Sequence, residues 1–238
     1  MPRGPGAAAW RDIQEATERI LPFYDRVNFA NTFGRIPFWR DRLARTATAA
    51  DVVLELGSGP GSFARLLGAR AVYCLEPSIM MARVARKRLP GDRFGLSRGV
   101  AEALPFRTAS VDRVYCSFSF RQFFDKLAAI HEMARVLRPG GEAHILEALR
   151  PREGLRRAFM DSWLTIGVPA VVSILVPRRV RREWREPPFV AFVRSYAAMD
   201  SAEAYADAMR ASGFTDVRLD YLSMRSVFHL RGVRARST

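Results

Sequence analysis

The chain of 238 residues is poor in the side chains that build metal and redox sites, with two cysteines and three histidines. Cys74 and Cys116 lie in apolar runs and form no CxxC pair, and Cys74 has no histidine or cysteine at ligand spacing. That excludes a disulfide framework and a zinc cluster, and fits reduced core thiols in a cytosolic protein. An apolar leader is also missing: Met1 to Gln14 has no hydrophobic core of the kind a signal peptide carries, so a cytoplasmic location is expected. The longest uncharged stretch, Ser162 to Pro177, is shorter than the roughly 18–20 residues that span a bilayer. Lysine is nearly absent. Of 38 basic residues only Lys87 and Lys126 are lysines, and 24 acidic residues leave a formal charge of +14. Such an excess suits an anionic partner (nucleic acid, an acidic membrane surface or an acidic substrate) or reflects a bias toward arginine; charge alone leaves both readings open. With 49% hydrophobic and 26% charged residues, the composition is globular.

After a Gly/Pro/Ala lead-in, residues 10–26 read as an amphipathic helix that Pro22 bends or divides, followed by a basic, aromatic stretch from Phe29 to Arg45. Short apolar runs then alternate with helical periods. Val52-Val53-Leu54 reads as a strand, Ser62 to Leu67 as the start of a helix, and Ala71 to Leu75 as the next strand. Ser78 is placed to cap a helix that Pro90-Gly91 stops near Leu89. Phe94–Arg98 and Val111–Ser117 supply two more strands. A helix over 126–138 has Leu127, Ile130, Ala134 and Leu137 on one face; Pro139-Gly140-Gly141 breaks it before a strand from Glu142 to Glu147. This alternation predicts an α/β fold with a doubly wound, mostly parallel sheet. From Arg150 to Met199 an arginine-rich helical insertion interrupts it. A helix over Ser201–Ser212 and two close strands, Val217–Tyr221 and Ser226–Leu230, then predict an antiparallel C-terminal strand. Four segments follow: a helical lid over 1–48, a cofactor-binding core over 49–150, an insertion over 151–200, and a closing unit over 201–238.

The strand ending at Glu55 runs into Gly57-x-Gly59-x-Gly61. Glycines belong where backbone turns tightly and approaches a ligand, and a helix opening at Ser62 would add free N–H groups for an anion. Dehydrogenases carry a similar loop, so the motif alone leaves the cofactor undecided. Glu76, nineteen residues after Gly57, ends the next strand, where a carboxylate can accept hydrogen bonds from both ribose hydroxyls.

Further motifs come in a fixed order: Glu76-Pro77-Ser78-Ile79-Met80-Met81, Gly99-Val100-Ala101-Glu102-Ala103-Leu104-Pro105-Phe106, Val111-Asp112-Arg113-Val114 and Leu137-Arg138-Pro139-Gly140-Gly141. Together they resemble the class I S-adenosylmethionine (SAM)-dependent methyltransferases, with their Rossmann-like seven-stranded sheet. Tyr24-Asp25-Arg26-Val27-Asn28, Gly34-Arg35, Trp39-Arg40, Ser117-Phe118-Ser119-Phe120-Arg121-Gln122 and Ala211-Ser212-Gly213-Phe214 are similar to the UbiE (MenG) subfamily, the ubiquinone and menaquinone biosynthesis C-methyltransferases. The resemblance covers about residues 20–150 and 200–230. It implies that Glu55, Gly57, Ser58, Gly59, Gly61, Glu76, Pro77, Ala101, Glu102 and Ser117 hold SAM, with S-adenosylhomocysteine (SAH) as product and no metal. Tyr24, Asn28, Phe118 and Gln122 would face a lipophilic acceptor. Arg121 would be catalytic, stabilising the phenolate that raises electron density at the attacked carbon. A salt-bridging surface arginine is the competing reading of Arg121.

Two departures stand out. Val100 occupies the place of the acidic residue that usually binds the adenine amino group, leaving Ile79 and Ala101 as apolar walls and Glu102 as a polar one. Gln122 stands in place of asparagine, which puts the acceptor's identity in doubt. His131, His144 and His229 read as structural, since no histidine–acid constellation names a general base. In the insertion, apolar Trp163–Val176 precedes Arg178, Arg179, Arg181, Arg182, Trp184 and Arg185. This suits a lid lying in an anionic membrane interface, or equally a soluble cover over the acceptor pocket. An RNA methyltransferase, favoured by charge alone, and a non-catalytic SAM-binding protein are the alternatives; a homodimer is a further partner to test.

Overall fold

Aliphatic and β-branched runs punctuated by glycine and proline pair into one seven-stranded sheet, with helices on both faces. The computed structural model describes residues 6–151, 153–182, 187–197 and 199–236. Three helices come first: α1 (Gly6–Arg19), α2 (Tyr24–Asn31) and α3 (Ile36–Ala44). Pro22 sits in a short 3-10 turn, Leu21–Phe23, that divides α1 from α2, as its missing N–H and fixed ring require. The core follows as β1 (Val52–Leu56), β2 (Ala71–Leu75), α4 (Ile79–Arg88), β3 (Phe94–Ser97), β4 (Val111–Ser117), α5 (Lys126–Val136) and β5 (Leu137–Ala148). The insertion carries α6 (Gly154–Ser162), α7 (Val168–Leu175), α8 (Arg178–Arg181) and α9 (Pro188–Ala197). The chain closes with α10 (Ala202–Ala211), β6 (Phe214–Leu222) and β7 (Val227–Arg234).

The strand order is β3-β2-β1-β4-β5-β7-β6. β1 to β5 pair in parallel, and β7 runs antiparallel to both of its neighbours. The winding reverses between β1 and β4, so the loops that follow these strands diverge and leave a crevice at their carboxyl ends. Local chemistry fixes the flanking helices. Ser78 Oγ accepts the Met81 N–H at the start of α4, Asp125 caps α5 through Ala128, and Ser201 caps α10 through Ala204. One face of the sheet packs on α5 and α10 through Ile130, Met133, Tyr205 and Met209; the other packs on α3 through Ile36, Trp39 and Leu43.

Three expectations are corrected. No α-helix follows the glycine loop; Ala64–Leu66 makes a single 3-10 turn. Only six residues separate Gly61 from Gly68, and β2 begins at Ala71, so the costly helical nucleus never propagates. Pro139-Gly140-Gly141 lies inside β5, which starts at Leu137; Gly140, at φ +82°, accompanies an irregular register against β4 between Val111 and Arg113. The insertion is helical from Gly154 to Leu175, because a π turn at Trp163–Gly167 joins α6 to α7. Those 22 residues, with a mean hydropathy of 1.6 in their most apolar window, are long and apolar enough to cross a membrane by length and composition. Trp184 and Arg185 lie outside the described residues.

Candidate active site

β1 ends at Leu56 and the chain turns at once. Gly57 has φ +63°, and a Cβ there would stand 2.5 Å from the Ser119 Cβ, so the loops after β1 and β4 meet only because this side chain is absent. The Gly57 and Ser58 N–H groups both donate to the Leu75 carbonyl, at 2.9 and 3.1 Å. Glu76, at the end of β2, then fastens the loop: the Gly59 N–H donates to its Oε2 at 2.8 Å, and the Ser78 N–H to its Oε1 at 2.9 Å. Burial pushes the Glu76 carboxyl up to about 7, against the pull of those two donors. Behind the loop, burial pushes Glu55 up to about 8, with Arg40 pulling the other way. Glu55 Oε2 and Ser58 Oγ are buried without a hydrogen-bond partner.

The N-terminal helices close this cleft. Gln14, Thr17 and Tyr24 complete its wall and leave about 60 Å³. Ser78 Oγ donates to Glu18, Ser62 Oγ donates to Asp25 Oδ1 at 2.6 Å, and Arg88 donates to Asp25 Oδ2 at 2.7 Å. That volume holds about two water molecules, so these latches must part before a nucleoside can bind.

A second cavity, of about 940 Å³, lies against the first. It is walled by α2, α3, the turn after β4, the α6–α7 helix and α9, with Val27, Trp39, Phe159, Trp163 and Leu164 among its apolar surfaces. Tyr24, Phe118 and Gln122 line both spaces and so mark where they meet. Phe118 holds φ +61°, an uncommon and strained conformation for a bulky residue, pinned by its N–H to the Leu146 carbonyl at 2.8 Å. The Tyr24 phenol is pushed up by burial, while Arg40 and Arg121 pull it down.

Arg121 is 8% exposed. Its Nη1 lies 2.5 Å from Glu147 Oε1 and 3.2 Å from the Phe118 carbonyl, its backbone N–H donates to Glu147 Oε2 at 3.0 Å, and its guanidinium carbon stands 5.1 Å from the centre of the Tyr196 ring. Glu147 is fully buried at the end of β5. Burial alone would lower the Arg121 pKa, but the Glu147 carboxylate outweighs it and the net shift is upward. Arg121 therefore lines the cavity as a buried, ion-paired residue, not as a surface arginine.

Of the residues singled out in the sequence, Gly57, Gly59, Glu76, Pro77, Ala101 and Glu102 line the cleft, and Asn28 and Arg121 line the cavity. Glu102 also accepts the Asp125 N–H at 3.1 Å, so its carboxylate is engaged in ordering the start of α5. Glu55 and Ser58 are buried behind the loop rather than in its wall, and Gly61 packs on Leu89. Ser117 does not reach the cleft; its Oγ accepts from Arg40 Nε at 3.2 Å. Strand alternation sends its side chain toward α3, and Ser119, after the turn at Phe118, takes the place in the cleft wall. Ile79 is also replaced: at the first position of α4 it is half exposed, and buried Met81 lines the cleft instead. Val100 is in the wall as expected. Sequence reasoning missed Arg40, Ser119 and Glu147 as parts of the site. A lone carboxylate ending the hydrophobic run Ala143–Glu147 was the signal for the last of these.

The histidines stand apart from both spaces. His144 Nδ1 and His229 Nε2 are 3.2 Å apart, His144 Nε2 lies 3.1 Å from Glu142 Oε2, and the His144 ring stacks on Tyr115. Burial lowers both histidines, His229 to about 4. His131 is exposed. Among the described residues, no group of three or more His, Cys, Asp or Glu is placed to hold a metal ion.

The chemistry of the cleft's residues suits the cofactor the motifs imply, once the latches part. Glu76 offers a buried carboxylate for a vicinal diol; Pro77, Met81, Val100 and Ala101 offer an apolar slot for a flat base; and unpartnered Glu55 Oε2 and Ser58 Oγ underlie the loop that would face the amino-acid end. Its helix N-terminus for the methionine carboxylate is not there, so loop N–H groups would have to serve.

Comparison with known proteins gives the same direction. Residues 54–145 match the methyltransferase domain family. The chain is 30% identical over 212 residues to the demethylmenaquinone methyltransferase of Mycolicibacterium gilvum, covering 87% of this chain and 88% of that one. Among solved structures, a SAM-dependent methyltransferase of Thermotoga maritima is similar with a TM-score of 0.63 at 20% identity, over 93% of this chain and 99% of that one. A phosphoethanolamine N-methyltransferase of Haemonchus contortus, in complex with SAH, is similar with a TM-score of 0.68 at 15% identity, over 95% of this chain and 59% of that one.

Proposed function

This chain belongs to the class I SAM-dependent methyltransferase family that includes the demethylmenaquinone methyltransferases, and we propose that it methylates a ring carbon of a lipophilic quinol such as demethylmenaquinol. The observation that carries the reading is the junction at Tyr24, Phe118 and Gln122, where the latched cofactor cleft and a far larger apolar cavity share a wall. SAM supplies an activated methyl group when bound. The protein's part is to align the acceptor carbon with it and keep water out. Glu76 and the Gly57–Gly59 loop hold the nucleoside end, the closed α1 and α2 exclude solvent, and Phe118 and Gln122 set the height of the ring. The cavity's aromatic and aliphatic walls suit a fused ring and the first units of a prenyl tail.

The α6–α7 helix serves such a tail in two ways. Its inner face, with Trp163, Leu164 and Val168, walls the cavity. Its outer face leaves Ile166 and Ile174 at 70 and 81% exposure, and Arg178, Arg179 and Arg182 are exposed beside it. We place this face on an anionic membrane surface, with the body of the protein in the cytoplasm. Incubation with SAM and a reduced, short-chain 2-prenyl-1,4-naphthoquinol is expected to yield the ring-methylated quinol by mass spectrometry. Failure to turn over any quinol while methylating tRNA would replace the reading with an RNA methyltransferase. Failure on both, with SAH still bound, would leave a SAM-binding protein.

A further inference from the structure

Two buried arginines line the large cavity, and their surroundings are opposite. Arg121 lies against a fully buried carboxylate, Glu147, which takes two hydrogen bonds from it and cancels its charge. Arg40 is equally buried, at 8% exposure, yet among the described residues no carboxylate lies within ion-pair distance of it. Its one side-chain hydrogen bond among the described residues runs from Nε to the neutral Ser117 Oγ at 3.2 Å, and its guanidinium carbon stands 6.0 Å from the centre of the Phe118 ring. Arg40 acts electrostatically on Glu55, itself pushed up to about 8 by burial and therefore largely protonated at neutral pH. Among the described residues, the Tyr24 phenol, on which Glu76 and Asp25 also act, the compensated Arg121, exposed Arg35 and Tyr196 are further charged or titratable neighbours of the cavity. A buried cation without a partner is costly unless an anion completes it. Phe118, beside Arg40, also lines the cofactor cleft, so a group resting on Arg40 lies next to the point of transfer.

We propose that Arg40 is a catalytic residue: it meets the ionised oxygen of the acceptor, an aromatic enol or phenol that binds as its oxyanion, and Arg121, compensated by Glu147, does not supply that charge. The acceptor's hydroxyl proton leaves to solvent on binding, and the electron density it leaves behind raises the nucleophilicity of the ring carbon. The inference rests on the reading of the cavity as an aromatic acceptor site.

The test uses two ring probes of equal size with the full chain saturated with SAH: 2-hydroxy-1,4-naphthoquinone, an enolate at neutral pH, and neutral 1,4-naphthoquinone. The wild type is expected to bind the enolate at least tenfold more tightly. Arg40→Met is expected to abolish that preference while leaving the affinities for the neutral probe and for SAH within twofold, and Arg40→Lys to retain part of it, because an ammonium keeps the charge and loses the planar fork. Equal binding of both probes by the wild type, or a preference that survives in Arg40→Met, overturns the inference and leaves the quinol reading standing. Binding of neither probe overturns the reading of the cavity itself. Should Arg40→Met fail to bind SAH, and so fail to fold, the wild-type preference and the Lys variant decide.

Discussion

The cofactor cleft and the acceptor cavity touch, but they are built in different ways. The floor of the cleft is assembled at the ends of β1 and β2 and fixed by backbone N–H groups, one carboxylate and a glycine whose Cβ would clash with Ser119. Its walls are added by the loops after β3 and β4 and by the N-terminal helices. The cavity draws its walls from α2, α3, the turn after β4, the insertion and the turn after β6, and is held by apolar packing around one buried ion pair. The first is a rigid edge of a sheet; the second is a space between helices that this chain adds to the sheet. The anchoring of the glycine loop by Glu76 is therefore a local property, and recognition of the acceptor depends on how distant segments dock.

The strongest way to break the comparison acts on the cavity. Glu147→Ala leaves the Arg121 guanidinium buried without its carboxylate, which costs about 3–5 kcal/mol. For a chain of this size that is a fall of roughly 6–20 °C in melting temperature by calorimetry. Substitution of both partners by apolar residues is expected to recover most of it.

The next effect belongs to the cleft. Glu76→Ala removes the acceptor of the Gly59 and Ser78 N–H groups and of the expected ribose diol. SAH affinity by calorimetry is expected to fall by about 2–3 kcal/mol, roughly 30- to 150-fold, with naphthoquinone binding in the cavity unchanged. Loss of both affinities would show that the two spaces are one cooperative unit.

The pH dependence separates the regions further. Glu55 and Glu76 have folded values near 8 and 7, above the ordinary 4.5, so the stability they contribute is full below 4.5 and is lost as pH rises through 7 to 8. His229, lowered from 6.5 to about 4, contributes in the opposite sense, with stability present above 6.5 and lost as pH falls toward 4. The two trends offset below pH 6.5. Above it the carboxylates dominate, and ligand-free stability is expected to fall between pH 6.5 and 8.5, by on the order of 1 kcal/mol per unit. Glu55→Gln should reduce that slope, and substitutions among the apolar residues of the cavity wall should leave it intact.

The smallest effect on folding is on the outer helix face. Ile166→Asp with Ile174→Asp replaces exposed side chains and should change stability by no more than about 0.5 kcal/mol each. Flotation with anionic liposomes at low salt is expected to show binding by the wild type and none by the double variant. Equal flotation would assign the exposed face to something other than a membrane.

The same contrast explains what the sequence revealed. Strand ends, the glycine loop, Glu76 and the caps at Ser78 and Ser201 rest on local rules of spacing and capping, and all can be read along the chain. The helix expected after Gly61 was misread because its glycine-bounded length, not its residue types, was decisive. Ser117 and Ser119 could be told apart only once the positive φ of Phe118 was known, since that turn decides which serine faces the cleft. Arg40 and Glu147 are single residues in ordinary helix and strand patterns, and the roles argued for them come from partners 77 and 26 residues away.

That cleft and cavity form one reaction centre is tested most directly by the structure of the protein with SAH and 2-hydroxy-1,4-naphthoquinone bound together. The expected result is a ring seated between Tyr24, Phe118 and Gln122, with a ring carbon roughly 3–4 Å from the SAH sulfur plus the length of one methyl group, and an oxygen on Arg40. A ring bound on the far side of the cavity, or one that displaces SAH from the cleft, would contradict it.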